Sequence, residues 1–191
     1  MSRITAVYSP VDHPGQQDSQ TAEALGELFG YLFPDNPDPK IDRAHAGIAI
    51  AAQNPKLALH LAKLSRFIAL ELPWCQRTDL RELAIQTLNL HFKCDFAFQA
   101  RWPHAQAAGI GPELQAAIPF FETTTLFNDE QRLVIEYTRA VVSGDVPAAL
   151  FARVVERYGE QGAVEFTTAV GWWSFWAMLL NAVRPEFEAA P

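Results

Sequence analysis

LRELAIQTLNLHFKCDFAFQARWPHAQAAG, Leu80 to Gly109, is the stretch on which the fold turns. It divides into two helical segments that meet near Lys93. The first, Arg81 to Phe92, is mostly apolar through Leu83, Ala84, Ile85, Leu88 and Leu90. Glu82, Gln86 and Asn89 cross it at i, i+4 and i+7, a spacing that puts all three on one face. A carboxylate inside such a helix is costly to bury unless it has partners. Cys94 follows the first segment. At the start of the next helix its sulfur would meet the positive end of the helix dipole, which favours a thiolate. Arg101 comes seven residues later and falls within about 20° of the same face. The spacing therefore allows a carboxylate, a thiol and a guanidinium to converge at one helix junction.

Composition narrows the class. A chain of 191 residues suits one compact domain with a sizeable core. The hydrophobic fraction of 49% and aromatic fraction of 12% argue against disorder. A formal net charge of −7 provides no electrostatic footprint for nucleic acid or anionic lipid. The two cysteines, Cys75 and Cys94, form neither a CxxC pair nor a zinc ligand set. Pairing between them is left open. Low cysteine use and the lack of a leader pattern point to the cytoplasm. No run of about 20 uncharged apolar residues predicts a membrane span. Neither a metal nor a cofactor is expected.

Outside the central stretch, strand signals are nearly absent. Residues 1–17 hold Pro10, Pro14 and Gly15 without periodicity and read as an irregular arm, with a short extended piece at Ile4 to Tyr8. Asp18 or Ser19 caps a helix to about Phe33, with Leu25, Leu28, Phe29 and Leu32 on one side. Pro34, Pro37 and Pro39 enforce a loop. A small apolar helix follows, Ile41 to Ala52. Asn54-Pro55 is a helix start signal. Leu57, Leu61, Leu64 and Ile68 then mark an amphipathic face. Thr78 or Asp79 caps the central helix. Glu113 to Ala117 forms a short helix, and Asn128 or Asp129 caps another with Leu133, Val134, Tyr137 and Val141 inward. Pro147 restarts a helix with Leu150, Phe151, Val154 and Val155 that stops near Gly159. The last helix, about Gly162 to Val183, is apolar all round through Trp172, Trp173, Phe175 and Trp176. The expectation is an all-α helical bundle of about 7 to 9 helices, with a single domain over residues 18–191.

Arg81-Glu82-Leu83, Cys94 twelve residues after Glu82, and Pro103-His104-Ala105 with Ala107-Ala108-Gly109 form a recognisable pattern. It resembles the carboxymuconolactone decarboxylase and alkylhydroperoxidase D-like superfamily over roughly residues 40–185. The resemblance implies that superfamily's helical bundle, a small-molecule substrate and a homo-oligomer. A trimer or hexamer would fit, or a dimer, with the site near a subunit interface. The peroxidase branch carries a second Cys where this chain has Ala97 and a His where it has Arg101. Ala97 cannot supply a resolving sulfur. The decarboxylase branch often places Glu at the position of Ala97.

The candidate site residues are Glu82, Cys94, Arg101 and His104, each with a plainer reading beside the functional one. Cys94 is a reactive thiol or a small buried hydrophobe. Arg101 holds a thiolate or a substrate carboxylate in its fork, or pairs with Glu82 or Asp95. It cannot replace the missing His as an acid–base group near neutral pH. Glu82 is a base tuned by burial or a structural carboxylate. His104 lies about 80° round from Cys94 and outside the family's His position. His91 and Cys75 read as structural. The aromatic stripe Phe92, Phe96, Phe98 and Trp102, with Trp172, Trp173 and Trp176, reads as core that could partly line an apolar pocket. Three functions compete. The first is a decarboxylase-like enzyme using Glu82 and Arg101 on a carboxylated or aromatic-derived molecule. The second is a thiol peroxidase using Cys94 alone, and the third is a non-catalytic ligand-binding oligomer.

Overall fold

A computed structural model describes residues 3–185. Every regular element among them is helical: eight α-helices and four short 3-10 turns. The α-helices are α1 (Ser19–Leu32), α2 (Ala46–Ala51), α3 (Pro55–Leu70), α4 (Thr78–His91), α5 (Asp95–Ala107), α6 (Pro112–Ala117), α7 (Asp129–Ser143) and α8 (Ala148–Val183). The all-α expectation holds, and eight helices fall inside the expected range. No described helix is long and apolar enough to cross a membrane.

The chain divides into two compact units. One takes in the chain up to Phe67 and resumes at Leu179, and the other is Ile68–Met178. In the first unit, the segment expected as an irregular arm is tied down. Val7 N–H donates to Ala49 at 2.8 Å, and the Tyr8 carbonyl accepts from Ile41 at 2.8 Å. No strand forms there. Asp18 caps α1 by accepting from Thr21 N–H, and Leu25, Leu28 and Phe29 are buried. Asn54 accepts from Leu57 N–H at 3.1 Å at the start of α3. The buried face of α3 differs from the expected leucine row. Of that row Ile68 is buried as expected but Leu57 and Leu64 are exposed, and Ala58 and Ala62 are buried instead. Periodicity identified the helix but not its inward face, because small residues at 58 and 62 permit close packing that leucines would not.

The second unit is built on α4, which packs against both α5 and α7. Arg77, rather than Thr78 or Asp79, is the N-cap of α4. Lys93 turns the chain between α4 and α5 with a left-handed φ of 52°, and Cys94 N–H closes that turn onto the Asn89 carbonyl at 2.9 Å. Pro103 lies inside α5 and removes the N–H that would bond to the Gln99 carbonyl. Gly109, at φ 87°, ends the helix. Asn128 and Gln131 form a reciprocal capping box at the start of α7, and Gly144 ends it at φ 78°. Arg132 reaches back to the carbonyls of Phe121, Thr124 and Phe127 and holds the threonine loop. Leu133, Val134 and Tyr137 face inward as expected. On the helix that Pro147 restarts, Leu150 and Val154 are buried and Phe151 is exposed. α8 is interrupted at Gly159, whose φ 73°, ψ 171° is not helical, as the expected stop near this residue implies.

Two substitutions test this backbone reading. Gly144→Ala is expected to lower unfolding stability by about 1 kcal/mol through left-handed strain. Asn128→Ala is expected to cost about 1 kcal/mol through loss of the cap. Urea unfolding measures both.

Candidate functional site

Glu82, Gln86 and Asn89 do share a face, and that face is buried. Glu82 is 1% exposed. Its carboxylate lies between two guanidiniums. Arg101 donates from Nε to one oxygen at 3.2 Å and from Nη2 to the other. Arg81, the neighbouring residue, donates from Nε at 3.3 Å. Arg81 is itself fixed by the carbonyls of Ala69 at 3.0 Å and Cys75 at 3.3 Å. The two arginine side chains keep 16% of their surface in solvent. A buried carboxylate with bidentate and monodentate guanidinium partners has most of its lone pairs satisfied.

One turn on, Gln86 continues the polar row. Its amide donates to the Phe98 carbonyl at 3.1 Å and to Gln115 at 2.8 Å. Gln115 donates onward to the Ile110 carbonyl at 2.8 Å. Asn89 donates to the Gln86 oxygen at 3.3 Å. This ladder ties α4 to α5 and α6 and fills the polar needs of a face that would otherwise be costly to bury.

Of the four sequence candidates, Glu82 and Arg101 come together. Cys94 does occupy the N-cap of α5, as expected, but it makes no capping hydrogen bond. It is 1% exposed. Burial pushes its thiol up, the Asp95 carboxylate adds to that, and the Ala97 N–H opposes both. The expectation that the helix dipole would favour a thiolate is therefore reversed: desolvation of the charged form outweighs a partial charge. His104 is exposed on α5. Cys75 and Cys94 are both free and buried. Burial pushes the Cys75 thiol up to about 12, with Arg81 opposing and Glu165 adding to the shift. His91 is exposed, with its ring edge against Phe92 at 5.2 Å. Arg81 and Gln115 were missed as partners. Arg81 stood beside Glu82 in the sequence, but adjacent helical residues point apart unless the side chain is long enough to turn back. No local signal marks Gln115.

The chain matches no family model, no characterised protein and no solved structure.

Two measurements check the site's physics. Glu82→Ala is expected to destabilise the fold by about 3 kcal/mol, because it leaves two partly buried guanidiniums without their counter-charge. Alkaline pH is also expected to weaken the fold. Folded Cys75 keeps its proton to about 12, whereas an unfolded thiol loses it near about 8.5. Between these values the unfolded chain binds fewer protons, so stability falls as pH rises and is unaffected below that window. Cys75→Ala is expected to flatten the slope in thermal unfolding between those two pH limits.

Proposed function

We propose that the chain is a carboxymuconolactone decarboxylase-like enzyme acting on a small carboxylated molecule. Arg101 holds the substrate carboxylate and Glu82 moves a proton. The observation that supports this reading is that two guanidiniums face one buried carboxylate. The cluster carries a formal charge of +1 where solvent screening is weak, which favours an incoming anion. Arg101 is partly open to solvent and engages Glu82 through Nε and Nη2, so Nη1 lies outside that fork.

The arrangement has a chemical consequence. In the free chain both arginines occupy the Glu82 carboxylate. A substrate carboxylate that draws Arg101 into its own fork leaves Glu82 with Arg81 alone. Substrate binding would thereby free part of the Glu82 carboxylate to accept a proton-bearing group of the substrate. The resemblance adds a homo-oligomer, a trimer or hexamer or else a dimer, to the proposal, and low cysteine use adds a cytoplasmic location.

The thiol peroxidase reading ranks below this one. A buried thiol pushed up in pKa carries little thiolate, and Ala97 offers no resolving sulfur. The non-catalytic reading has one observation in its favour, because Glu82 and Gln86 are already satisfied from within the chain.

Calorimetric titration with benzoate and a turnover assay for carbon dioxide release from small carboxylated lactones separate these readings. Arg101→Ala is expected to weaken benzoate binding ten- to hundred-fold, since a charged hydrogen bond is worth about 1.5–3 kcal/mol. Arg101→Lys is not expected to restore it, because the fork is lost. Turnover that survives Arg101→Ala overturns the proposal. Benzoate binding without turnover in the unmutated chain favours the non-catalytic reading.

A further inference from the structure

Away from Glu82 and Arg101, a cleft of about 540 Å³ opens in the Ile68–Met178 unit. Its walls include Trp74, Arg77, Glu130, Tyr158 and Glu165. Three features of this cleft are left unbalanced by the chain itself.

The first is Glu165, a carboxylate 8% exposed. One oxygen accepts from Trp74 backbone N–H at 2.9 Å and the other from the Gln161 amide at 2.7 Å. Among the described residues it has no cationic partner. The nearby guanidiniums are already engaged elsewhere. Arg77 pairs with Asp79 at 3.0 Å and with Glu130 at 3.4 Å, and Arg157 pairs with Glu130 at 3.0 Å. A buried carboxylate served only by neutral donors keeps an uncompensated charge.

The second is a pair of orphaned polar atoms. Trp74 is 5% exposed, and its indole N–H has no hydrogen-bond partner; nor does the buried Tyr158 hydroxyl. Burial, and after it the neighbouring Glu130 carboxylate, push the Tyr158 phenol up. Native interiors rarely leave such groups unpaired.

The third is the backbone. Gly159 holds φ 73°, ψ 171°, a region open to glycine alone. At Gly162 a Cβ would stand 2.7 Å from the Tyr158 Cβ. Two glycines thus let Tyr158 approach the next turn of α8. The Trp74 and Tyr158 rings cross at 88° with centroids 6.3 Å apart.

We infer that this cleft is a binding site for a small organic ammonium ion. The ammonium neutralises Glu165 and lies beside the aromatic rings of Trp74 and Tyr158, which favour a cation. A water molecule could not balance Glu165.

The test is a titration of the folded, 15N-tryptophan-labelled chain with ethanolamine, read at the Trp74 indole signal. Loss of that signal in Trp74→Phe assigns it. Ethanolamine and propylamine are each expected to shift it saturably, and propionate not at all. Glu165→Gln keeps an acceptor for the Trp74 backbone N–H but removes the charge, and is expected to weaken binding at least ten-fold. Gln161→Ala changes an exposed residue, frees one Glu165 oxygen, and is expected to tighten binding about three-fold. It keeps the test decisive if Glu165→Gln does not fold. The proposal is overturned by any one of three results: no shift with either amine, a shift with propionate equal to that with ethanolamine, or an affinity unchanged in Gln161→Ala.

Discussion

One buried carboxylate organises the Ile68–Met178 unit. Glu82 cannot be buried on the polar face of α4 without counter-charge, and Arg81 and Arg101 provide it from two directions. Arg101 carries that requirement across to α5, and Arg81 carries it to the backbone carbonyls of Ala69 and Cys75. The register between α4 and α5 is therefore chosen by electrostatics as well as by packing. A slip of one residue would separate the Arg101 guanidinium from the buried Glu82 carboxylate.

The same geometry shapes what the site can do. Both guanidiniums are held by the fold, so their excess charge is present before any ligand arrives. Gln86, Asn89 and Gln115 continue the pattern with neutral groups, and each bond of that ladder restricts how α4, α5 and α6 can shift. Cys94 stands outside this pattern. Its position at a helix N-terminus argues for a thiolate, but its burial argues more strongly against one. A partial charge from the backbone cannot replace the hydration that the thiolate loses.

Unbalanced charge appears a second time in the same unit, at Glu165. The break in α8 at Gly159 brings Tyr158 and Gly162 together beside it. The contrast between the two carboxylates is informative. Among the described residues Glu82 has two cations and Glu165 has none, although arginines lie close to both. At the second site those arginines are spent on Glu130 and Asp79.

Much of the fold was legible in local patterns. Asn54-Pro55, the Asn128 cap and the break near Gly159 all follow from backbone chemistry that a residue carries with it. The polar face of α4 was legible for the same reason, since 3.6 residues per turn fixes which side chains share a side. Three things belonged to the tertiary structure. The first is the inward face of α3, where Ala58 and Ala62 win over the leucines because close packing rewards small residues. The second is the identity of Glu82's partners, since sequence offset cannot give a distance across the left-handed turn at Lys93. The third is the protonation of Cys94, because burial is a property of the whole unit and not of the helix start. Sequence by itself determined the helices and which residues each face carries. The tertiary structure decided which faces meet and which charges are neutralised, because desolvation and pairing exist only once distant segments come together.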